Sequence, residues 1–592
     1  MRSHNLLVAG RPRLLAGLAA VLVTGLVLAL ASPPEAPAVV APASTTTAVP
    51  ADGARPTATP LPAPSATPTP SRTSTPAPTP TPLGGGGIVA YVLDGELMLA
   101  DVVSGATARL TFDPDRESDP AFSPDGRSLA FTARREDNWD LYQLELGDGR
   151  LTRLTDHADY DGRPAWSPDG RAIAFETLRE GDLDIYVLPI GGEARALADA
   201  SGAETSPAWS PDGRWVVYSA LAGGQRDLYV IPAEGGEPVN LTQSPALQED
   251  EPAVSPDGRL LAYSAGLGGE RALYVAPVDL AAGRLITASA RAAGRGAAPA
   301  WSPDGVSLVF HVPARRSPRV VISGVRGSVW PLRAFDADQL AGPPAWAAGS
   351  MPAVAWAREL AARPTPEPTV LFVEDLPPRP EEPPYYEFVY VPVHTGGPYL
   401  GERVDDSFRA LRERVIDETG LDYLSIFGDM WRGIDAYARP GQSERSWHKA
   451  GRAFDMNQGP YGYGQDVVVV QESLGGWVYW RVYFRMARQD GSRGEPLRVA
   501  PWDFLAQPES ADDPPTGGAP QPRIPSGYWL DFTRLAADYG WVSVGALRNW
   551  RTTYADTDWW HFQNTGGLRW IEAMREVYTE DEIEAAFGEQ PP

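Results

Sequence analysis

From about residue 88 to 357, short apolar runs alternate with polar positions at a period of two, as half-buried strands require. Ala172-Ile173-Ala174-Phe175 and Asp184-Ile185-Tyr186-Val187-Leu188 are two such runs, with a polar turn at Arg179 to Asp182 between them and Gly191-Gly192 turning into a fourth strand. The tetrad Ser-Pro-Asp-Gly returns at Ser123, Ser167, Ser210, Ser255 and Ser302, at intervals of 44, 43, 45 and 47 residues. Its proline presets φ and its glycine accepts positive φ, so each tetrad is a turn. The third strand of the unit, Asp184-Ile185-Tyr186 in the example, repeats too, as Asp140-Leu141-Tyr142, Asp227-Leu228-Tyr229 and Ala272-Leu273-Tyr274. Repeats of about 40 to 50 residues with room for four strands predict propeller blades. Ile88 to Tyr91 and Leu97 to Leu99 read as later strands of a blade without its opening strand, and Pro344-Ala345-Trp346 as an opening strand without its tetrad. Joining them closes a ring of six blades and removes free sheet edges, with seven as the alternative.

These repeats resemble the propellers of the TolB family and related WD40-like periplasmic proteins over residues 88–357. The tetrad marks the fold and is nearly silent on function. His157 and His311 stand singly in this region and read as structural.

The flanking composition divides the rest. Arg2, Arg11 and Arg13 precede an apolar run from Leu14 to Ala31 that ends in Ala29-Leu30-Ala31, so residues 1–31 read as a signal peptide, with an uncleaved membrane anchor as the alternative. Either reading places the protein outside the cytoplasm and limits membrane contact to this segment. Residues 32–87 are a Pro/Thr/Ser-rich tether ending in the glycines 84–87, and residues 358–384 are a second Pro-rich linker. Residues 385–592 lose the repeat and mix helical and strand periodicity. Asp405-Asp406-Ser407 is expected to cap a helix carrying Phe408, Leu411, Val415 and Ile416, with Gly420 at its end. Val467 to Val470 and Trp477 to Tyr483 read as strands, and Asp531 to Tyr539 and Leu568 to Val577 as helices. The fold class is therefore multidomain: an all-β six-bladed propeller followed by an α+β domain.

Charge and composition narrow the chemistry. Asp+Glu 76 against Lys+Arg 51 leaves a net charge of −25, which opposes a sequence-independent grip on nucleic acid. With no cysteine there are no disulfides, thiol nucleophiles or Cys-ligated metals. Lys449 is the single lysine. Ser446-Trp447-His448-Lys449 fits the S-x-x-K of acylating penicillin-binding proteins, but no second lysine exists for their K-T-G strand.

Two histidines have a carboxylate close in sequence: His448, in Ser446-Trp447-His448-Lys449-Ala450-Gly451-Arg452-Ala453-Phe454-Asp455, and His561, in Asp558-Trp559-Trp560-His561. Two imidazoles and one carboxylate suffice to hold catalytic Zn²⁺ with a position left for water, and a fourth group can act as base. The small Gly451 and Ala453 let the first segment fold back on itself. The competing reading is a pair of hydrogen-bonded core histidines, and His394 reads as structural.

The first segment matches S-x-H-x-x-G-x-A-x-D throughout and resembles the zinc D-alanyl-D-alanine peptidases of the VanY and VanX type, over roughly residues 400–575. The resemblance implies that His448, Asp455 and His561 bind zinc, that Asp558 stands where the family's general base is usually Glu, and that an upstream arginine, Arg432 with Arg439 as runner-up, stabilises the oxyanion. Asp558 is one methylene shorter than Glu, which leaves turnover less secure than metal binding. Gln465 to Pro520 matches nothing in that family. Trp477, Trp480, Trp559 and Trp560 read as core. The expected function is an exported zinc peptidase acting on peptidoglycan stem peptides, with the propeller as a docking platform for protein or cell-wall polymer. The alternative is a non-catalytic envelope binding protein whose zinc domain is degenerate.

Overall fold

The computed structural model describes residues 86–588 except 113–115, 245–246, 268–269, 313–318, 326–328, 334–339, 355, 357–370, 438–443, 458–464, 475 and 507–516. Residues 1–31, expected as a signal peptide or membrane anchor, most of the expected tether and Arg439 lie outside the described residues. Within them the chain is mostly β with few helices, and no helix is long and apolar enough to cross a membrane.

Among the described residues, six antiparallel sheets follow one another between Ile88 and Ala347. The innermost strands are Arg116–Phe122, Asp161–Trp166, Ala203–Trp209, Gln248–Val254, Ala297–Trp301 and Leu340–Ala347, and each lies beside the next in a closed cycle. The cycle closes through both ends of the region: Leu340–Ala347 pairs with Ile88–Leu93, with Val89 opposite Trp346. Leu, Val, Phe and Tyr side chains from adjoining sheets fill the spaces between them, as in the cluster of Leu129, Phe131, Leu97 and Leu99. Trp209 and Trp301 tie neighbours further, each donating its indole N–H to a carbonyl of the preceding inner strand, Ala165 (3.0 Å) and Ala253 (2.9 Å).

Every inner strand carries one residue in the left-handed region directly before a proline: Asp119, Arg163, Ser206, Glu251, Ala298 and Gly342. The register shifts at the first five of these positions, so each is a bulge that turns its residue toward the axis. The first five of them, with Pro343 from the sixth strand, line a small axial cavity of about 80 Å³. Arg163 fills its centre, bonded to Ser206 and lying 3.3 Å from Asp119, 3.8 Å from Glu176 and 3.7 Å from Glu251.

The tetrads are turns, as expected, with the Ser hydroxyl donating to the Asp carboxylate at 2.6–2.7 Å in all five. They join first to second strands and so share one face of the ring; the second-to-third hairpins emerge on the other. His157 bonds locally to Asp159, and His311 is an inter-strand residue opposite Ala297 and Val320.

In the C-terminal region, the helix Asp405–Thr419 buries Phe408, Leu411 and Val415, and Gly420 ends it in the left-handed conformation. Its N-cap is Val404, without a side-chain bond; Asp405 and Asp406 instead occupy the first turn, where carboxylates favour the helix dipole. Asp531 does cap the next helix, Phe532–Asp538, by accepting from Arg534 N–H (3.0 Å). A four-stranded sheet orders Phe427–Asp429, Ala453–Met456, His561–Gln563 and Val542–Ser543, and a hairpin Val467–Leu474 with Trp477–Arg485 pairs with Tyr528–Asp531. Trp480, Trp559 and Trp560 belong to the core, but Trp477 is 53% exposed, because it sits at the hairpin tip. Phe372 stacks on Tyr539 (6.0 Å), so packing against this domain begins well before residue 385.

Candidate metal centre

Strand register brings the two distant segments together. Ala453–Met456 lies between Phe427–Asp429 and His561–Gln563, with Asp455 directly opposite both His561 and Asp429. Cross-strand partners share a face, so Asp429, Asp455 and His561 project on one side of the sheet. His448 arrives from a tight turn just upstream. Gly451 makes that turn feasible: its φ is +65°, and a Cβ there would lie 2.6 Å from Gly401 N and 2.7 Å from the Phe388 ring. Buried Arg452 anchors the turn from behind through Glu576 (2.6 Å) and the Asn564 carbonyl (2.9 Å).

The three side chains converge. Asp455 Oδ1 lies 3.0 Å from His448 Nε2 and 2.7 Å from His561 Nδ1, and the two nitrogens are 3.2 Å apart. Each imidazole is tied on its other side. His448 Nδ1 donates to the Met430 carbonyl (2.9 Å), and His561 Nε2 faces Gln563 Oε1 (3.4 Å). With those nitrogens carrying the protons, three lone pairs meet at one point, an arrangement that repels unless a cation or a proton sits among them. Donors about 2.0–2.1 Å from a tetrahedral ion stand roughly 3.3 Å apart, close to the spacing here. The donor set and geometry thus fit zinc, and the outward hydrogen bonds are of the kind that orient metal-ligating imidazoles.

Charge follows the same geometry. Burial alone would raise the Asp455 carboxyl, but the charge and hydrogen bonds of His448, then of His561, hold it well below the usual carboxylate range. Burial pulls His561 down, and Asp455 more than reverses this, leaving its pKa raised. Arg432 bonds Asp429 through Nε and places Nη2 3.5 Å from Asp455 Oδ2. Asp455 thereby has one oxygen toward the imidazoles and the other toward a guanidinium.

Asp558 occupies the turn leading into His561, whose N–H donates to the Asp558 carbonyl (3.2 Å). Its φ is +52°. Asp and Asn enter this left-handed region several-fold more readily than other side chains, so the turn suits the residue it carries. Burial raises its carboxyl above the ordinary range; His561 opposes this and the Asp455 charge adds to it.

Of the residues expected from sequence, His448, Asp455 and His561 meet directly, Arg432 touches Asp455, and Asp558 senses all four electrostatically. Lys449 is buried with Nζ over the Phe587 ring (4.9 Å), and His394 makes an isolated bridge to Ile426. Sequence reasoning missed Asp429, Gln563 and the Met430 carbonyl. The i, i+2 spacing of His561 and Gln563 on one strand could have exposed the second. A carbonyl leaves no trace in residue type.

Residues 85–196 and 190–348 match the TolB beta propeller domain family, so the central region is a TolB-type propeller. No curated protein matches. Among solved structures, TolB from Acinetobacter baumannii is 21% identical, with 44% of this chain aligned to 66% of that one, just under two thirds of its length, at a TM-score of 0.40. A putative TolB from Agrobacterium tumefaciens is 21% identical over 45% of this chain and 99% of its own, at a TM-score of 0.35. An oligogalacturonate lyase in complex with manganese is 15% identical over 41% and 71%, at a TM-score of 0.31.

Proposed function

We propose that this protein is an extracytoplasmic zinc peptidase of the D-alanyl-D-alanine carboxypeptidase type, acting on peptidoglycan stem peptides, with a six-bladed propeller joined to an α+β zinc domain. The observation that carries the reading is the convergence of His448 Nε2, Asp455 Oδ1 and His561 Nδ1, each turned inward by a bond on its far side or by a neighbouring strand. These three would hold the ion. Zinc, when bound there, supplies a Lewis acid and a water acidified to near neutral pH.

The chain's own residues supply the rest. Asp558, with its carboxyl held above the usual range, is suited to accept a proton from the attacking water and return it to the leaving amine. Arg432 steadies Asp455 and, with 36% of its side chain exposed, is the residue placed to meet developing negative charge. The apolar run after Arg13 and the TolB-type ring support export, and the ring's polar turns support a docking role toward envelope protein or cell-wall polymer.

The test is metal content and muropeptide turnover in wild type, His448→Ala and Asp558→Ala. Stoichiometric zinc and release of D-alanine or a shortened peptide by wild type alone are expected; a well-folded wild type without zinc overturns the reading. The short Asp558 favours a second reading, a metal-binding envelope protein without turnover, which predicts zinc but no product from any stem peptide.

A further inference from the structure

The ring and the C-terminal domain meet through a strap within the stretch that sequence motifs leave unassigned. The carbonyl of Ser492 accepts from Arg134 (3.0 Å), that of Gly494 from the Trp139 indole (2.8 Å) and that of Arg498 from Arg226 Nη2 (2.6 Å). On the adjoining strand the Tyr528 hydroxyl accepts from Tyr160 N–H (2.8 Å). Tyr160 lies in a fourth-to-first connection, and Arg134, Trp139 and Arg226 at the strand ends flanking second-to-third hairpins, so the strap seats on the face opposite the tetrads.

The guanidinium of Arg498 goes further in, to the axis. Its Nε lies 2.9 Å from Glu176 Oε2 and its Cζ 5.3 Å from the centre of the Tyr160 ring. The Glu176 side chain has no exposed surface. Its other oxygen, Oε1, already accepts from Ser206 N–H (2.7 Å) and is 3.8 Å from Arg163. Arg163 is shared with Asp119 and Glu251. A buried carboxylate with one partially shared cation is costly, and Arg498 is what completes its neutralisation.

We propose that the propeller is electrostatically incomplete by itself, that Arg498 supplies the cation its buried Glu176 lacks, and that this face is therefore the permanent seat of the chain's own C-terminal domain. External partners are then restricted to the tetrad face. The inference does not depend on the metal or on turnover.

The test compares full-length wild type, Arg498→Ala, Arg498→Glu, Tyr528→Phe and Glu176→Gln/Arg498→Ala by calorimetry and small-angle scattering. Wild type is expected to unfold in one transition. Arg498→Glu should split it into two, with the ring melting first and the radius of gyration increased, while near-ultraviolet circular dichroism persists in the cold. Neutralising Glu176 in the Arg498→Ala background should recover most of the lost melting temperature of the ring, because the orphaned charge is gone. If Arg498→Glu does not fold, Arg498→Ala and Tyr528→Phe give the same comparison. Unchanged cooperativity and scattering in these variants, or no recovery in the double variant, overturns the proposal.

Discussion

Replacing Arg163 with Met removes the cation at the centre of the ring without changing the length of the side chain greatly. Three carboxylates lose a partner: Asp119 at 3.3 Å, Glu251 at 3.7 Å and Glu176 at 3.8 Å. Two keep another arginine, since Arg271 is 3.5 Å from Glu251 and Arg498 is 2.9 Å from Glu176. Asp119 keeps only the Ser118 hydroxyl among its described side-chain bonds (2.6 Å). Breaking a buried pair from one side costs about 3–5 kcal/mol, and with two of the three carboxylates still paired the expected loss is about 3 kcal/mol. At roughly 2–4 °C per kcal/mol for a domain of this size, the ring's Tm should fall by about 6–12 °C. Urea denaturation at neutral pH measures the loss, with an unchanged m-value confirming that the native fold is intact. Without Arg163 the buried Asp119 carboxylate loses the guanidinium that lies 3.3 Å from it, so a neutral amide at that position should relieve the deficit. Arg163→Met/Asp119→Asn should regain more than half of the loss in a double-mutant cycle. A deficit below about 1 kcal/mol, or one that ignores the second substitution, refutes the assignment of Arg163 as the axial keystone.

Three further outcomes are expected. Asp184 and Glu204 are hydrogen-bonded carboxyls on neighbouring sheets, each raised first by burial and then by acidic neighbours, Asp182 for the former and Asp184 for the latter. Because the folded pair holds protons that the unfolded chain releases, stability should fall as pH rises from the ordinary carboxylate range through neutrality, and Glu204→Gln should flatten that slope in thermal melts across pH. Gly451→Ala forces a Cβ into 2.6 Å contact with Gly401 N at a φ of +65°, so it should destabilise the C-terminal domain by more than about 1 kcal/mol, read by chemical denaturation followed through tryptophan fluorescence. Asp429→Asn loosens Arg432 and hence Asp455, and should weaken zinc affinity by roughly 10–100-fold in a chelator competition, whereas Gln471→Glu, on another sheet, should not.

The ring was legible in sequence because its signals are local and repeated. A Ser-Pro-Asp-Gly turn is decided by four residues, and five copies reveal the period. The pairing of Ile88–Leu93 with Leu340–Ala347 followed from two half-repeats that needed each other. The left-handed residues before Pro120, Pro164, Pro207, Pro252 and Pro299 escaped notice, since their identities, Asp, Arg, Ser, Glu and Ala, share nothing except a position. The site divides similarly. His448, Asp455 and His561 were marked by spacing, and the structure brings them together. Asp429 was invisible because its role comes from lying across the sheet from Asp455, a relation that register decides. Arg498 was out of reach for the same reason: nothing around it in sequence announces a buried carboxylate more than three hundred positions earlier.

The clasp between Leu340–Ala347 and Ile88–Leu93 has a bearing on how the chain matures. The first sheet cannot gain its inner strand until some 250 residues more have been synthesised and, if the protein is exported, delivered across the membrane. Until then Ile88–Leu93, paired only with Glu96–Asp101, leaves one edge open at the start of the array, and closure of so long a loop makes completion of the ring a late step. A chain cut short before Ala347 would be left with two open sheet rims, the sort of surface that recruits neighbours into aggregates and that quality-control proteases find first.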